Sequence, residues 1–204
     1  WTDYPKETYK GVDYQMLPSD IVSDDDGGQT ATWAASHRQS LSSNKDTGEG
    51  WPGCRDIDHK SDNVRNNYNA YLKFLLEDLG YAGFRYDMVK GFAPEYVAQY
   101  NQTVQPQFSV GEYWDNSTAT KLWVNGTKVN NVPQSAAFDF PFRYTVRDAA
   151  NSGDWSKLEN ASNAPLINSR QFRQYAVTFV ENHDTQMRSA SEPLDPIKKD
   201  TLAA

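Results

Sequence analysis

Gly83-Phe84-Arg85-Tyr86-Asp87 is the first of three short segments that end in or near a carboxylate and decide the fold. The second is Gly111-Glu112-Tyr113-Trp114, and the third is Phe179-Val180-Glu181-Asn182-His183-Asp184. Each follows a short apolar or alternating run that is typical of a β-strand, so each carboxylate is expected where a strand ends and a loop begins. Carboxylates brought together from separate strand ends are what cleavage of a glycosidic bond requires.

Helical and strand-like patterns alternate around these segments. Ser61 or Asp62 can cap a helix that continues to about Leu79 and is stopped by Gly80, and Pro94 suits the first turn of a second helix. Strands are predicted over residues 81–87, 108–113, 136–140 and 175–180, a helix over 142–151, and a short helix is possible near Lys121. This alternation predicts a parallel sheet, and strand-end carboxylates are typical of the C-terminal face of a (β/α) barrel.

The number of strands predicts only part of such a barrel. Four strands are recognisable in the 204 residues, whereas a closed barrel has eight and typically takes ~250 residues. We therefore expect an α/β fold, a partial (β/α)₈ TIM barrel of about strands four to seven, over residues 59–204. Residues 1–58 are rich in Asp, Gly and Ser and lack clear periodicity, which predicts an irregular loop domain.

Composition limits the possible partners. The net charge is −7 and no long run of Lys or Arg occurs, which argues against nucleic acid. No apolar run approaches the ~20 residues that a membrane-spanning helix needs. Cys54 is the single cysteine, so an intrachain disulfide is excluded. The chain starts at Trp1, which is expected of an interior cut, so no targeting segment can be identified.

The three carboxylate segments resemble the conserved regions of the alpha-amylase family of glycoside hydrolases. The resemblance implies that Asp87 is the nucleophile, Glu112 the general acid/base and Asp184 the stabiliser of the transition state. It also implies that Arg85, Lys90 and His183 contribute to substrate binding. Trp114 is as well suited to packing the wall of the cleft as to stacking on a sugar ring.

Elementary electrostatics agrees with these roles. Arg85 lies two residues before Asp87, so on a strand both side chains share one face, and the guanidinium favours the ionised carboxylate. Glu112 would be crowded by two carboxylates, which raises its pKa and keeps it protonated near neutral pH. A retaining mechanism would place the Asp87 and Glu112 carboxyl groups about 5–5.5 Å apart.

A second resemblance, to the calcium-binding loop domain of plant-type and bacterial alpha-amylases, lies upstream. It is carried by Asp46-Thr47-Gly48-Glu49 and Arg55-Asp56-Ile57-Asp58-His59, where Arg55 stands in place of the usual Pro. The resemblance implies carboxylate ligands from Asp46 and Asp56, a backbone carbonyl ligand from Gly91, and Ca²⁺ as the cofactor. These atoms supply part of the 6–8 oxygens that Ca²⁺ takes. The alternative is a solvated acidic loop.

The resemblance implies hydrolysis of internal α-1,4 bonds in starch and maltooligosaccharides, and a secreted or extracytoplasmic location. A 4-alpha-glucanotransferase shares the same residues, and a non-catalytic starch-binding or assembly fragment is a further alternative. The family's Asp-x-Val-x-Asn-His segment does not occur in these residues. A half-open sheet leaves edges and apolar faces unpaired, so we expect a homodimer formed near Phe138 and Val177, or an N-terminal segment that covers the open side.

Overall fold

The computed structural model describes residues 4–159 and 164–185. Its N-terminal segment is more regular than the sequence predicts. A hairpin is formed by β1 (Glu7–Tyr9) and β2 (Val12–Tyr14), and helix α1 spans Gln29–Ser36. These elements were not predicted, because three-residue strands and an eight-residue helix are too short to produce a clear hydrophobic period.

Helix α2 spans Asp62–Lys73 and begins as predicted, since the Ser61 side chain accepts a hydrogen bond from the Val64 N–H. A π-helical turn, Phe74–Asp78, continues it, and Gly80 then adopts a φ of +75° that ends the helix. A π turn rotates the residues that follow it relative to an α-helical stripe. Leu79, directly after this turn, is 54% exposed.

The remaining elements alternate along the chain. They are β3 (Gly83–Tyr86), α3 (Pro94–Val104), β4 (Phe108–Gly111), α4 (Ser117–Gly126), the hairpin strands β5 (Lys128–Val129) and β6 (Val132–Pro133), β7 (Ala136–Phe138), α5 (Phe140–Ser152) and β8 (Ala176–Val177). The helix near Lys121 is present, and the hairpin β5–β6 was not predicted. Among the described residues, no helix has the length and apolar character needed to cross a membrane.

The four predicted strands form one parallel sheet in the order β3-β4-β7-β8. In its register Tyr86 pairs with Gly111, Gly111 with Ala137, and Ala137 with Ala176. The strands are shorter than the sequence predicts; β8 ends at Val177, so the segment that leads to Asp184 is loop. Because parallel strands end at one edge, the residues that follow them are brought to that edge.

A cluster of aromatic side chains connects the N-terminal segment to the helices. His59 is buried, stacks on Phe92 with ring centroids 4.2 Å apart, and its Nδ1 lies 2.8 Å from the Tyr100 hydroxyl. Tyr96 and Tyr100 on α3 belong to the same core cluster as Leu72 on α2. The segment that carries Asp56 and Asp58 is therefore anchored on the faces of α2 and α3.

Candidate active site

The ends of β3 and β4 bring three charged side chains together. Arg85 Nη1 lies 2.6 Å from Asp87 Oδ1, and Arg85 Nη2 lies 3.4 Å from Glu112 Oε1. The carboxyl groups of Asp87 and Glu112 are also in hydrogen-bonding contact with each other. Neighbouring parallel strands produce this arrangement, since Asp87 and Glu112 directly follow the paired residues Tyr86 and Gly111.

The two carboxyl groups differ in exposure. Asp87 is largely exposed at the edge of the sheet, whereas Glu112 is 8% exposed. Burial raises the pKa of Glu112; the Met88 N–H and Arg85 lower it, and contact with Asp87 raises it further. The direction of the pKa shift agrees with the prediction, but burial is a larger cause than neighbouring carboxylates.

Met88 contributes through its backbone, which sequence analysis did not predict. Its φ of +46° and ψ of +41° are left-handed, a conformation that is uncommon for a residue with a side chain. In this conformation the Met88 N–H donates a 3.0 Å hydrogen bond to Glu112 Oε2. Local strain at this turn therefore helps to orient the Glu112 carboxyl.

Asp184 lies in a tight turn beyond β8. The Asn182 side chain accepts hydrogen bonds from the backbone N–H groups of Asp184 and Thr185 at 3.0 and 2.8 Å. His183 Nε2 lies 2.9 Å from Asp184 Oδ2, and the Asp184 side chain is partly exposed. The turn follows the edge of the sheet at which Asp87 and Glu112 lie, but it comes from β8, three strands away from β3.

Trp114 packs the wall of this edge. Its ring stacks on Phe140 with centroids 4.6 Å apart, and its Nε1 donates a hydrogen bond to the Tyr144 hydroxyl. These contacts agree with packing, one of the two roles that the sequence left open; stacking on a sugar ring is not tested by them. Phe179 also contacts Phe140, edge to face, with ring centroids 5.0 Å apart.

Lys90 is held by protein carboxylates. Its Nζ lies 2.8 Å from Asp115 and 3.0 Å from Glu49, so it links the loop after β4 to the N-terminal segment. Burial lowers the pKa of Lys90, but the hydrogen bonds to these two carboxylates outweigh burial and raise it. A sugar hydroxyl would have to share Lys90 with these partners.

The residues expected to bind calcium are brought into one neighbourhood. The Asp46 and Asp56 carboxyl groups are in contact, and burial followed by this contact raises the pKa of Asp56 to about 8. Gly48 lies so close to the backbone of residues 90–92 that an added Cβ would stand 2.3 Å from the Gly91 carbonyl carbon. Two carboxylates held in contact fit a cation between them.

The fit to calcium is nevertheless partial. Within residues 4–159 and 164–185, no group of three or more acidic, histidine or cysteine side chains is arranged to hold a metal ion. Asp46 Oδ1 also accepts the backbone N–H groups of Thr47 and Gly48. A bound ion would thus depend on backbone carbonyls and water in addition to the two carboxylates.

Asp139 is a fourth carboxylate at a strand end, directly after β7, and it has a structural role. It is fully buried, caps α5 by accepting the Phe142 N–H, and accepts the Ile167 N–H at 2.9 Å. Burial raises the pKa of Asp139. Its position before Phe140-Pro141, a helix start, is the sequence signal that separates it from Asp87 and Glu112.

Comparison with known proteins supports the resemblance. No family model matches the chain. It is 31% identical over 157 residues to alpha-amylase 3, chloroplastic, of Arabidopsis thaliana, which is 70% of this chain and 17% of that protein. It is 30% identical over 165 residues to probable alpha-amylase 2 of the same plant, which is 74% of this chain and 39% of that protein. The chain thus spans well under half the length of these relatives.

A solved structure shares the fold. An alpha-amylase from Malbranchea cinnamomea superimposes with a TM-score of 0.50 and 23% identity, over 67% of this chain and 28% of that chain. The predicted resemblance is therefore confirmed. Over about two thirds to three quarters of its length, the chain is related to the alpha-amylase family of glycoside hydrolases.

Proposed function

We propose that this chain carries the catalytic centre of a retaining glycoside hydrolase that cleaves internal α-1,4 bonds of starch and maltooligosaccharides. One observation supports this most directly: Arg85, Asp87 and Glu112 are in mutual contact at adjacent strand ends, and Glu112 is buried with a raised pKa. An ionised carboxylate beside a protonated one is the pair that a retaining glycosidase needs.

The proposed reaction has two steps. Asp87 attacks the anomeric carbon, the glycosidic C–O bond breaks, and Glu112 gives its proton to the leaving oxygen. In the second step Glu112 takes a proton from water, whose oxygen replaces Asp87 on the sugar. Because the two carboxyl groups are now in contact, a bound sugar is expected to separate them towards the ~5–5.5 Å of retaining enzymes. Asp184 and His183 would hold sugar hydroxyls.

Two further proposals concern calcium and association. Ca²⁺ would be held by Asp46 and Asp56 with the Gly91 carbonyl, and it would neutralise a carboxylate pair that is costly to keep together. A homodimer through the sheet face near Phe138 and Val177 remains a proposal. Phe138 already contacts Phe179 and Arg85 within the chain. Light scattering across a dilution series would decide, since a monomer at every concentration contradicts the dimer.

We propose a secreted or extracytoplasmic location for this chain, and the names of the relatives leave this proposal open. One Arabidopsis relative is named chloroplastic, and an Escherichia coli relative is named a cytoplasmic alpha-amylase. Location therefore varies among the proteins that this chain resembles. Fractionation of the source cells, followed by detection of the chain in each fraction, would test whether it is secreted.

The activity is tested by measuring reducing ends released from soluble starch by the 204-residue chain. Glu112→Gln is the inactive reference variant, because it keeps the shape of the side chain but cannot transfer the proton. Glu95→Gln is the matched control, since Glu95 lies exposed in the first turn of α3. We expect the parent chain and the Glu95→Gln control to release reducing ends, and the Glu112→Gln variant to release none.

Product analysis separates the alternatives. Incubation with maltohexaose should yield only shorter oligosaccharides from a hydrolase. Products longer than the donor would indicate a glucanotransferase instead. Starch binding without any change in the oligosaccharides would contradict the hydrolase and leave the binding fragment as the function.

A further inference from the structure

Arg143 carries a positive charge inside the protein. It lies in the first turn of α5, which begins after the cap Asp139, and its side chain is 0% exposed. Arginine remains charged at any physiological pH. A buried charge costs stability unless it is paired and hydrogen-bonded. The partners of the Arg143 guanidinium therefore indicate which part of the structure it stabilises.

Two partners of Arg143, Glu181 and Thr185, lie at the two ends of one turn. Arg143 Nη2 lies 3.6 Å from Glu181 Oε1 and donates to the backbone carbonyl of Thr185 at 3.4 Å. Thr185 is buried, and its hydroxyl donates to Glu181. Glu181 and Thr185 flank Asn182-His183-Asp184, so the guanidinium holds both ends of the turn that carries Asp184.

The same helix turn also contacts the loop after β4. The Arg143 guanidinium lies 5.3 Å from the ring centroid of Tyr144, whose hydroxyl accepts the Trp114 Nε1–H. Phe140, one turn earlier and fully buried, contacts the rings of both Trp114 and Phe179. The start of α5 is thus packed against both the loop that follows Glu112 and the loop that leads to Asp184.

We propose that Arg143 is a positioning residue that fixes the turn of residues 181–185 and thereby places Asp184 against the sugar. The inference rests on the proposed glycoside hydrolase function, since that function gives Asp184 its role. Arg143 does not touch the substrate in this scheme. It acts through Glu181 and the Thr185 carbonyl, and a shorter lysine side chain could not reach both ends of the turn in the same way.

The test uses Arg143→Lys in the 204-residue chain, with two measurements. The first is kcat and KM on maltohexaose; kcat should fall about tenfold or more, because small misplacements of a catalytic group are costly, while KM stays within about threefold. The second is hydrogen exchange, which should become faster in a peptide covering residues 179–185 and stay unchanged in one covering 83–87.

Arg173→Lys is the matched control. Arg173 is exposed in the short turn that precedes β8, outside the proposed machinery. It should leave both measurements unchanged. If Arg143→Lys does not fold, Glu181→Gln replaces it, since Glu181 is part-exposed and the change removes only the charged partner.

Unchanged kcat and unchanged exchange in Arg143→Lys would overturn the proposal. Exchange that becomes faster in all peptides alike would also overturn it, because that result describes general destabilisation. If the parent chain hydrolyses nothing, the proposed function fails separately. The exchange of residues 179–185 then decides alone: faster local exchange supports the positioning role, and unchanged exchange refutes it.

Discussion

Two places in this protein hold a pair of carboxyl groups in contact, and they differ in what compensates the charge. Asp87 and Glu112 share the guanidinium of Arg85, which lies within 2.6 and 3.4 Å of them. Asp46 and Asp56 meet in the N-terminal segment, where Asp25 adds a further negative charge, and the pKa of Asp56 is raised to about 8. The first pair carries its own cation, whereas the second is the pair for which we propose a bound Ca²⁺.

The comparison shows that two pairs of carboxyl groups can be brought together in different electrostatic surroundings. At the strand ends, Glu112 is buried next to an exposed Asp87, and burial raises the pKa of Glu112, as the proposed general acid requires. In the N-terminal segment, burial and contact with Asp46 raise the pKa of Asp56, and a bound Ca²⁺ would favour its ionised form. Four predictions test this comparison.

Replacing the exposed member of the first pair should have the largest effect. Asp87→Asn removes the attacking oxygen and should lower starch hydrolysis by on the order of 10³-fold or more, with little change in the far-UV circular dichroism spectrum. Asp148→Asn, an exposed aspartate on α5, is the control. If Asp87→Asn keeps more than about a tenth of the activity, Asp87 is not the nucleophile.

Removing the cation of the first pair should have the next largest effect. Arg85 lowers the pKa of Glu112, so Arg85→Gln should raise that pKa further and move the alkaline limb of the kcat/KM profile to higher pH. We also expect kcat to fall by about 10²-fold, as is typical when one electrostatic partner is lost. An alkaline limb that stays in place would show that Arg85 does not act on Glu112.

The second pair should respond to calcium. A ligand that binds the native state alone stabilises it by about 2.7 kcal/mol at a hundredfold excess over Kd, which raises the melting temperature by several degrees. A chelator should reverse this increase. Asp56→Asn should abolish the response without destabilising the metal-free protein. The raised pKa of Asp56 means that folding has to protonate this carboxyl group at neutral pH, and an amide carries no such cost.

Asp13→Asn, in the hairpin of the same segment, should retain the calcium response. A melting curve of the parent chain that ignores both calcium and chelator would refute the proposed site. A metal-free Asp56→Asn protein that melts well below the parent would show that the contact between Asp46 and Asp56 is not repulsive.

The smallest expected effect is a pH dependence of stability caused by His59, which anchors the N-terminal segment. Burial lowers the pKa of His59 to about 4, below its unfolded value of about 6.5. Protonation therefore favours unfolding, so the contribution of neutral His59 is fully present above pH 6.5 and is lost as the pH falls towards 4, on the order of 2–3 kcal/mol. Urea unfolding between pH 4 and 7 measures it.

His59→Gln should flatten the pH dependence in this range, although it lowers stability throughout. His37→Gln should keep the parental slope, because His37 is exposed at the end of α1. If the parent and His59→Gln have the same slope, the stack of His59 on Phe92 does not control titration, and other groups determine the acid sensitivity of the N-terminal segment.

Much of the parallel sheet could be predicted because its signals are local. Ser61 caps α2 and Pro94 begins α3 as their residue types require, and the four strands pair in the expected parallel sense. The N-terminal hairpin and α1 could not be predicted, since such short elements have no measurable period. The π turn that continues α2 could not be predicted either, since no residue type marks it.

The sequence by itself determined that Asp87 and Glu112 follow neighbouring strands, because strand periodicity and order along the chain are local properties. Only the tertiary structure decided that Glu112 is buried, that Met88 turns its N–H towards it, and that Trp114 packs on Phe140. The contacts of Arg143 were likewise visible only in the tertiary structure, since its partners lie about forty residues away along the chain. The burial and the contacts of a side chain depend on residues that are distant in sequence, so local sequence patterns do not predict them.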